Sequence, residues 1–251
     1  MKKKYRMEKD EEFGMYRVIA LRNFGDVKEG DIGGYVETED NLSHTGNCWI
    51  YDDAIMRHES RMTGNAKLHN TAVMYNNSSI TDDAEMFGDA SLYNHATLHG
   101  SAVMCNDSAM YNNTEMFDHA QLYGSASLFG NAMICDNAIM RDSASLHDNS
   151  RAFGNAELCG IANLRYTAFV MSGIWNITPL QISGSKHFLN ISSPTTIKIG
   201  CKNNSIEDWL ANYPEIGKNQ HYSTLEILEY KGFIDLAIRW LEIYSNQITK
   251  N

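Results

Sequence analysis

Between Leu68 and Met140 the sequence has no lysine and no arginine. The same stretch has eight acids: Asp82, Asp83, Glu85, Asp89, Asp107, Glu115, Asp118 and Asp136. Such a surface repels a nucleic-acid backbone and has nothing to pair with a phosphate. Residues 46–171 hold six Lys/Arg against fourteen Asp/Glu, a net of −8 out of −10 for the chain. No apolar run is long enough to span a bilayer. The start, MKKKYRMEKDEEF, is basic but lacks the apolar stretch of a secretory signal. The five cysteines show neither disulfide nor metal spacing. These absences point to a cytoplasmic protein with free thiols, no metal site, no membrane contact and no direct nucleic-acid contact.

What the sequence has is a repeat. From Gly46 to Met171 it runs in twenty-one hexads without an insertion: GNCWIY, DDAIMR, HESRMT and onward to YTAFVM. The third position is always small, from Cys48 and Ala54 to Ala168, and the fifth is aliphatic except at Ala152. Two residues apart in an extended segment, positions 3 and 5 point to one side. Positions 4 and 6 then point outward, and the Gly, Asn, Asp and Ser of positions 1 and 2 make a corner. Three hexads close one triangular coil, so the stretch predicts about seven 18-residue coils with Leu68, Met74 and their equivalents inside. Methionines at position 5 read as core filling. Asn47, Asn65 and Asn155 at the corners are placed to stack into amide ladders. Cys105 and Cys159 share a face but lie three coils, roughly 14 Å, apart and cannot bridge. At Ala152 a core aliphatic is missing, which Phe153 or a neighbouring coil must fill.

The flanks differ from the repeat. Residues 1–45 read as a small β cap, with Tyr16–Leu21 as a strand and a turn-rich Phe24–Val36. Residues 172–251 read as a hairpin around Gly184–Ser185, a strand at Ile197–Gly200, and two helices. The first helix opens at Ser205 and ends before Pro214; the second opens at Ser223. In the second, Leu225, Leu228, Phe233, Ala237, Trp240, Leu241 and Tyr244 recur near helical period, and Gly232 is a candidate kink. This tail over 223–247 needs an apolar surface: the prism end, a prism face or another subunit.

Two stretches carry a family resemblance. ALRNFGDVKEGDIGGYVETEDNLSHTGNCWIYDDA, running into the hexads, resembles the start of the YdcK-like family of single-stranded left-handed β-helix proteins. IGCKNNSIEDWL…YPEIG…YSTLEILEY resembles the tails of phage and prophage hexapeptide-repeat proteins. The resemblance implies an all-β solenoid, a single-stranded left-handed parallel β-helix; the left hand comes from the resemblance, not from the spacing. Proteins of this fold are often labelled acyltransferases, which work as trimers with acetyl-CoA in a cleft between prisms and a histidine as base. The histidines available here are His69, His95, His99, His119 and His147. Each takes a repeat position that elsewhere holds Tyr, Phe, Asn or Ser. The coils have neither the cations for coenzyme A phosphates nor a loop to shape an acceptor pocket.

Position 6 gives a different candidate. Every eighteen residues on one face stand Arg57, Tyr75, Tyr93, Tyr111, Phe129, His147 and Arg165. Beside them, position 4 is small or apolar: Ile55, Val73, Ser91, Ala109, Ser127, Ser145 and Asn163. An aromatic strip on one wall marks an interface or a ladder that stabilises the sheet. The reading adopted is a non-catalytic β-helical scaffold of phage or prophage type, with no cofactor. It self-associates as a dimer or trimer, or binds a host protein, through this wall. A stiff acidic rod could also act as an inhibitor or mimic of nucleic acid in a basic groove. The alternative is an acyltransferase using acetyl-CoA.

Overall fold

A computed structural model describes residues 3–249. Residues 1, 2, 250 and 251, at the outer limits of the expected cap and tail, lie outside the described residues.

Each hexad turns on its first residue. All twenty-one first positions, from Gly46 to Tyr166, have φ between +53° and +75°. That left-handed region costs an ordinary side chain energy but suits Gly, Asn and Asp, which fill the position almost throughout. His58 and Tyr166 are the exceptions and carry local strain. The Asp and Asn side chains also serve the next coil. Asp136 Oδ2 accepts the Gly154 N–H at 2.8 Å, and Asp142 Oδ2 accepts that of Gly160 at 2.9 Å.

Between corners run two-residue strands that pair in parallel with the strand eighteen residues on, as Ser91 does with Ala109 and Ala109 with Ser127. Three sheets of ten, nine and seven strands result, the walls of a parallel β-solenoid of about eight turns. Every third and fifth position from Cys48 to Val170 is buried, Leu68 and Met74 included. Burying each aliphatic chain is worth about 1.5–3 kcal/mol. The solenoid runs past both ends of the hexads. Tyr35 pairs with Ile55 and Leu42 with Met62, twenty residues apart, and Ile174 pairs with Glu157, seventeen apart. At Ala152 the core column passes from Ile134 to Val170. Phe153 stays half-buried, tilted against Phe169 at 5.2 Å, and does not fill that position.

In each coil the N–H groups donate to the following coil, as Trp49 N does to Ala66 O. The N-terminal end therefore presents carbonyls and the C-terminal end N–H groups, and both need partners. At the N-terminal end, strands β1 (Tyr5–Asp10), β2 (Met15–Ala20) and β3 (Ile32–Val36) form an antiparallel unit that continues the ten-stranded wall. Tyr35 N and Glu37 N serve Ala54 O and Met56 O. Asn41 Nδ2 serves His58 O and Ser60 O, and Lys4 Nζ serves Cys48 O at 2.8 Å. Lys4 is fully buried, also 3.3 Å from Cys48 Sγ, and burial lowers its pKa. At the C-terminal end Thr178 Oγ1 and Gln181 Oε1 accept from Asn163 N and Arg165 N.

The tail forms a four-stranded antiparallel sheet, residues 181–205, then helices α1 (Ile206–Asn219) and α2 (Thr224–Tyr244). The hairpin at Gly184–Ser185 forms as expected. Pro214, expected beyond the first helix, lies inside α1. Proline removes the donor for the Leu210 carbonyl, but Leu210 is exposed and water can serve it. Gly232 lies within a continuous α2 and does not divide it. The packed face of α2 is Tyr230, Ile234 and Ala237 with Phe233, Trp240 and Leu241. Leu225 and Leu228, expected with them, point to solvent, 79% and 60% exposed. No helix among the described residues is long and apolar enough to cross a membrane.

Candidate interaction surface

The position-6 row of the ten-stranded wall stacks in register. Tyr75 lies over Tyr93 at 5.2 Å and 2°, Tyr93 over Tyr111 at 5.1 Å and 0°, and Tyr111 over Phe129 at 4.9 Å and 2°. His147 extends the stack, 4.8 Å from Phe129. The parallel register sets these spacings: each ring copies the backbone offset of its strand. All five rings are half-buried, covered above and below and open at the outer edge. Burial, helped by the neighbouring Tyr93, raises the Tyr111 phenol; burial and Arg165 lower the His147 imidazole. Arg57 and Arg165 flank the stack as the row requires. From Val73 to His147 neither outward column of this wall holds Asp, Glu, Lys or Arg. The other two walls carry charges, among them Lys67, Glu85 and Glu157 on one and Arg61, Glu115 and Arg151 on the other.

Ring stacking is not confined to this wall. Tyr51 and His69 stack at 4.1 Å, and His99 and Phe117 at 5.1 Å, on the other two rows. The ten-stranded wall differs in having five consecutive rings. Beside them runs a feature the sequence reading placed only in general terms, two amide ladders. Asn76 donates to Asn94 at 3.0 Å and Asn94 to Asn112 at 3.1 Å. Asn113 donates to Asn131 and Asn131 to Asn149, both at 3.1 Å. Along them lies a shallow groove of about 500 Å³, lined by asparagines and His95 with no charged side chain. Asparagine at positions 1 and 2 every eighteen residues is the signal in the sequence. The ladders expected at the other corners also occur, from Asn47 to Asn65 at 3.1 Å and Asn137 to Asn155 at 3.4 Å.

The structure does not gather the five candidate histidines. His69, His99 and His147 lie on three different rows; His95 and His119 sit at exposed corners. Burial lowers the pKa of His69, whose ring lies against Tyr51. His99 Nε2 is 3.1 Å from Glu115 Oε1. No three His, Cys, Asp or Glu side chains among the described residues come together as metal ligands would. The tail encloses an apolar cavity lined by Trp209, Tyr213, Tyr222 and Tyr230, but its roughly 30 Å³ has room for little more than a water. The tail, for which the prism end, a prism face or another subunit could supply the apolar surface, takes the prism end and leaves the ring strip uncovered. Trp240 stacks on Trp175 at 6.4 Å, and Asn190 Nδ2 donates to Phe169 O at 2.7 Å, both at the C-terminal end of the prism.

No family profile matches the chain. A protein of Escherichia coli (strain K12) described as "Uncharacterized acetyltransferase YdcK" is 38% identical over 60 residues. That segment is 24% of this chain and 18% of the relative, so the likeness spans less than a fifth of the relative's length. Together with the solenoid, it fits a hexapeptide-repeat β-helix.

Proposed function

We propose that the chain is a non-catalytic β-helical scaffold that associates side by side through its ring-and-amide wall. One observation carries this: the five-ring stack and two amide ladders share the one wall whose outward columns are uncharged from Val73 to His147. Two copies of a prism with net −8 repel at their acidic walls but not at this one. A second copy also presents the same spacing of about 5 Å, so rings and amides can mesh rung by rung. The sealed ends favour contact along the side over growth from the ends.

Removing the row's outer edge tests the reading. Fully burying an exposed ring is worth about 1.5–3 kcal/mol; these are already half-buried, so covering the open edges of two contributes roughly that much together. With Tyr93 and Tyr111 both changed to Ser, circular dichroism should still show the coil, since neither side chain enters the core. Light scattering should show a smaller particle than the parent. An unchanged mass would leave the stack as a ladder that only stiffens the sheet.

The description of the matched relative favours a second reading, an acyltransferase using acetyl-CoA. Against it stand the unbroken eighteen-residue register from Trp49 to Phe169, which leaves no loop to shape an acceptor pocket, and the dispersed histidines. Calorimetry with acetyl-CoA should give no saturable heat. Saturable micromolar binding would reverse the choice, and His→Ala variants would then find the base.

A further inference from the structure

The outer face of α2 carries an apolar stripe interrupted by Arg239. Leu225, Leu228, Leu236 and Ile243 are 79%, 60%, 49% and 72% exposed. At about 100° per residue they fall, with Gly232 and Arg239, within about 40° either side of one line along the helix. A Cβ built on Gly232 would meet nothing within 4 Å, so this line faces open space at its middle. Leucines and isoleucine this exposed, aligned on one helix, are the signature of a missing partner.

The spacing says which partner. Counted from Gly232, the stripe has side chains four residues away on each side, Leu228 and Leu236, and seven away on each side, Leu225 and Arg239. From Leu225 to Arg239 it is therefore nearly symmetric about Gly232; Ile243, eleven residues on, would meet residue 221, which precedes α2. Two copies of α2 laid antiparallel across a two-fold axis at Gly232 bring Leu228 level with the second copy's Leu236. Leu225 comes level with the second copy's Arg239, whose aliphatic stem can cover it. Glycine at the crossing lets the two backbones approach closely. Leu225, Leu228 and Leu236, the side chains inside this pairing, carry roughly 350 Å² of open surface per copy. A two-fold contact thus removes up to about 700 Å² from these and, with Gly232, Arg239 and the rim, approaches the lower end of specific interfaces.

We propose that α2 is the dimerisation helix of this protein, pairing antiparallel with α2 of a second copy about a two-fold axis at Gly232. The inference does not rest on the ring-and-amide wall, and the two contacts separate experimentally. Light scattering is run on the parent, the Tyr93→Ser/Tyr111→Ser variant, a Leu228→Glu/Leu236→Glu variant and the combination. The stripe variant should halve the mass of its own parent in either background and weaken the contact about tenfold or more. The wall variant should leave that halving intact. If only the wall substitutions change the mass, with the helices folded, the α2 proposal fails and the wall reading stands; the opposite pattern sinks the wall and keeps α2.

A second measurement needs no destabilising charge. In a Cys201→Ser background, Gly232→Cys places two thiols across the axis. Leu225→Cys places them about 21 Å apart along it, beyond disulfide reach. Mild oxidation should give a covalent dimer joined at 232 and none joined at 225. Equal yields from the two sites, or none from 232, would overturn the antiparallel pairing.

Discussion

Asn41→Ala should destabilise the protein by about 3–5 kcal/mol, far more than an ordinary surface asparagine. The side chain is 1% exposed and makes five hydrogen bonds, four of them with backbone groups. Nδ2 donates to His58 O at 2.7 Å and Ser60 O at 2.8 Å, and Oδ1 accepts from Glu37 N at 3.1 Å and Thr38 N at 2.8 Å. It thus takes the place of a preceding coil on one wall. Alanine leaves the buried Ser60 carbonyl without its partner, at about 1–3 kcal/mol, and removes three part-buried bonds worth about 0.5–1.5 kcal/mol each, partly recovered by water. Asn41→Asp should be as harmful: it keeps the two acceptor contacts but turns a carboxylate toward two carbonyls. Urea unfolding gives the loss, and an open first coil should also make end-to-end aggregates. A loss under about 1 kcal/mol would mean that water satisfies those carbonyls and the cap is only steric.

The same end shows what the sequence could not tell. The buried columns from Cys48 to Val170 follow from a strict period, because every coil meets the same neighbours above and below. Lys4 belongs to no such pattern. In the sequence it is one of three consecutive lysines in a basic start, yet its ammonium is buried against the Cys48 carbonyl. That follows from what the first coil lacks, a preceding coil. Leu225 and Leu228 show the opposite failure. Helical period groups apolar residues, but Leu225, Leu228 and Leu236 alternate with Tyr230, Ile234 and Ala237 around α2, and only packing tells which face is covered. The ring row was legible because one side chain per eighteen residues must stack once the register is parallel. Its companions Asn76, Asn94 and Asn112 were harder to single out, since asparagine at a first position is already explained by the left-handed corner.

Trp175→Ala should both destabilise the protein and free the tail that carries α2. Trp175 is fully buried where prism and tail meet. Its backbone continues the nine-stranded wall after Leu158 and then pairs antiparallel with Ile248. Its ring lies 6.4 Å from Trp240 of α2, and Nε1 donates to Ser172 O at 2.9 Å. Cutting a buried tryptophan to alanine costs about 3–5 kcal/mol, from lost contacts and the void left behind. Here the void opens between two units, so the loss should fall on their connection more than on either unit. Nearest-neighbour contacts alone hold the coils, and the coils far from residue 175 should keep their stability. In a Trp49→Phe background, unfolding followed by tryptophan fluorescence, which then reports only Trp209 and Trp240 in the tail, should precede unfolding followed by the β signal in circular dichroism. Proteases should cut between 172 and 180 in the variant but not in the parent. Trp175→Phe, which keeps an aromatic ring but not the indole donor, should lose much less and keep the two transitions together. Coincident transitions in the alanine variant, with a loss under about 1 kcal/mol, would show that the strand pairing of Ile174 and Trp175 with Ile248 and Thr249 holds the tail without the indole.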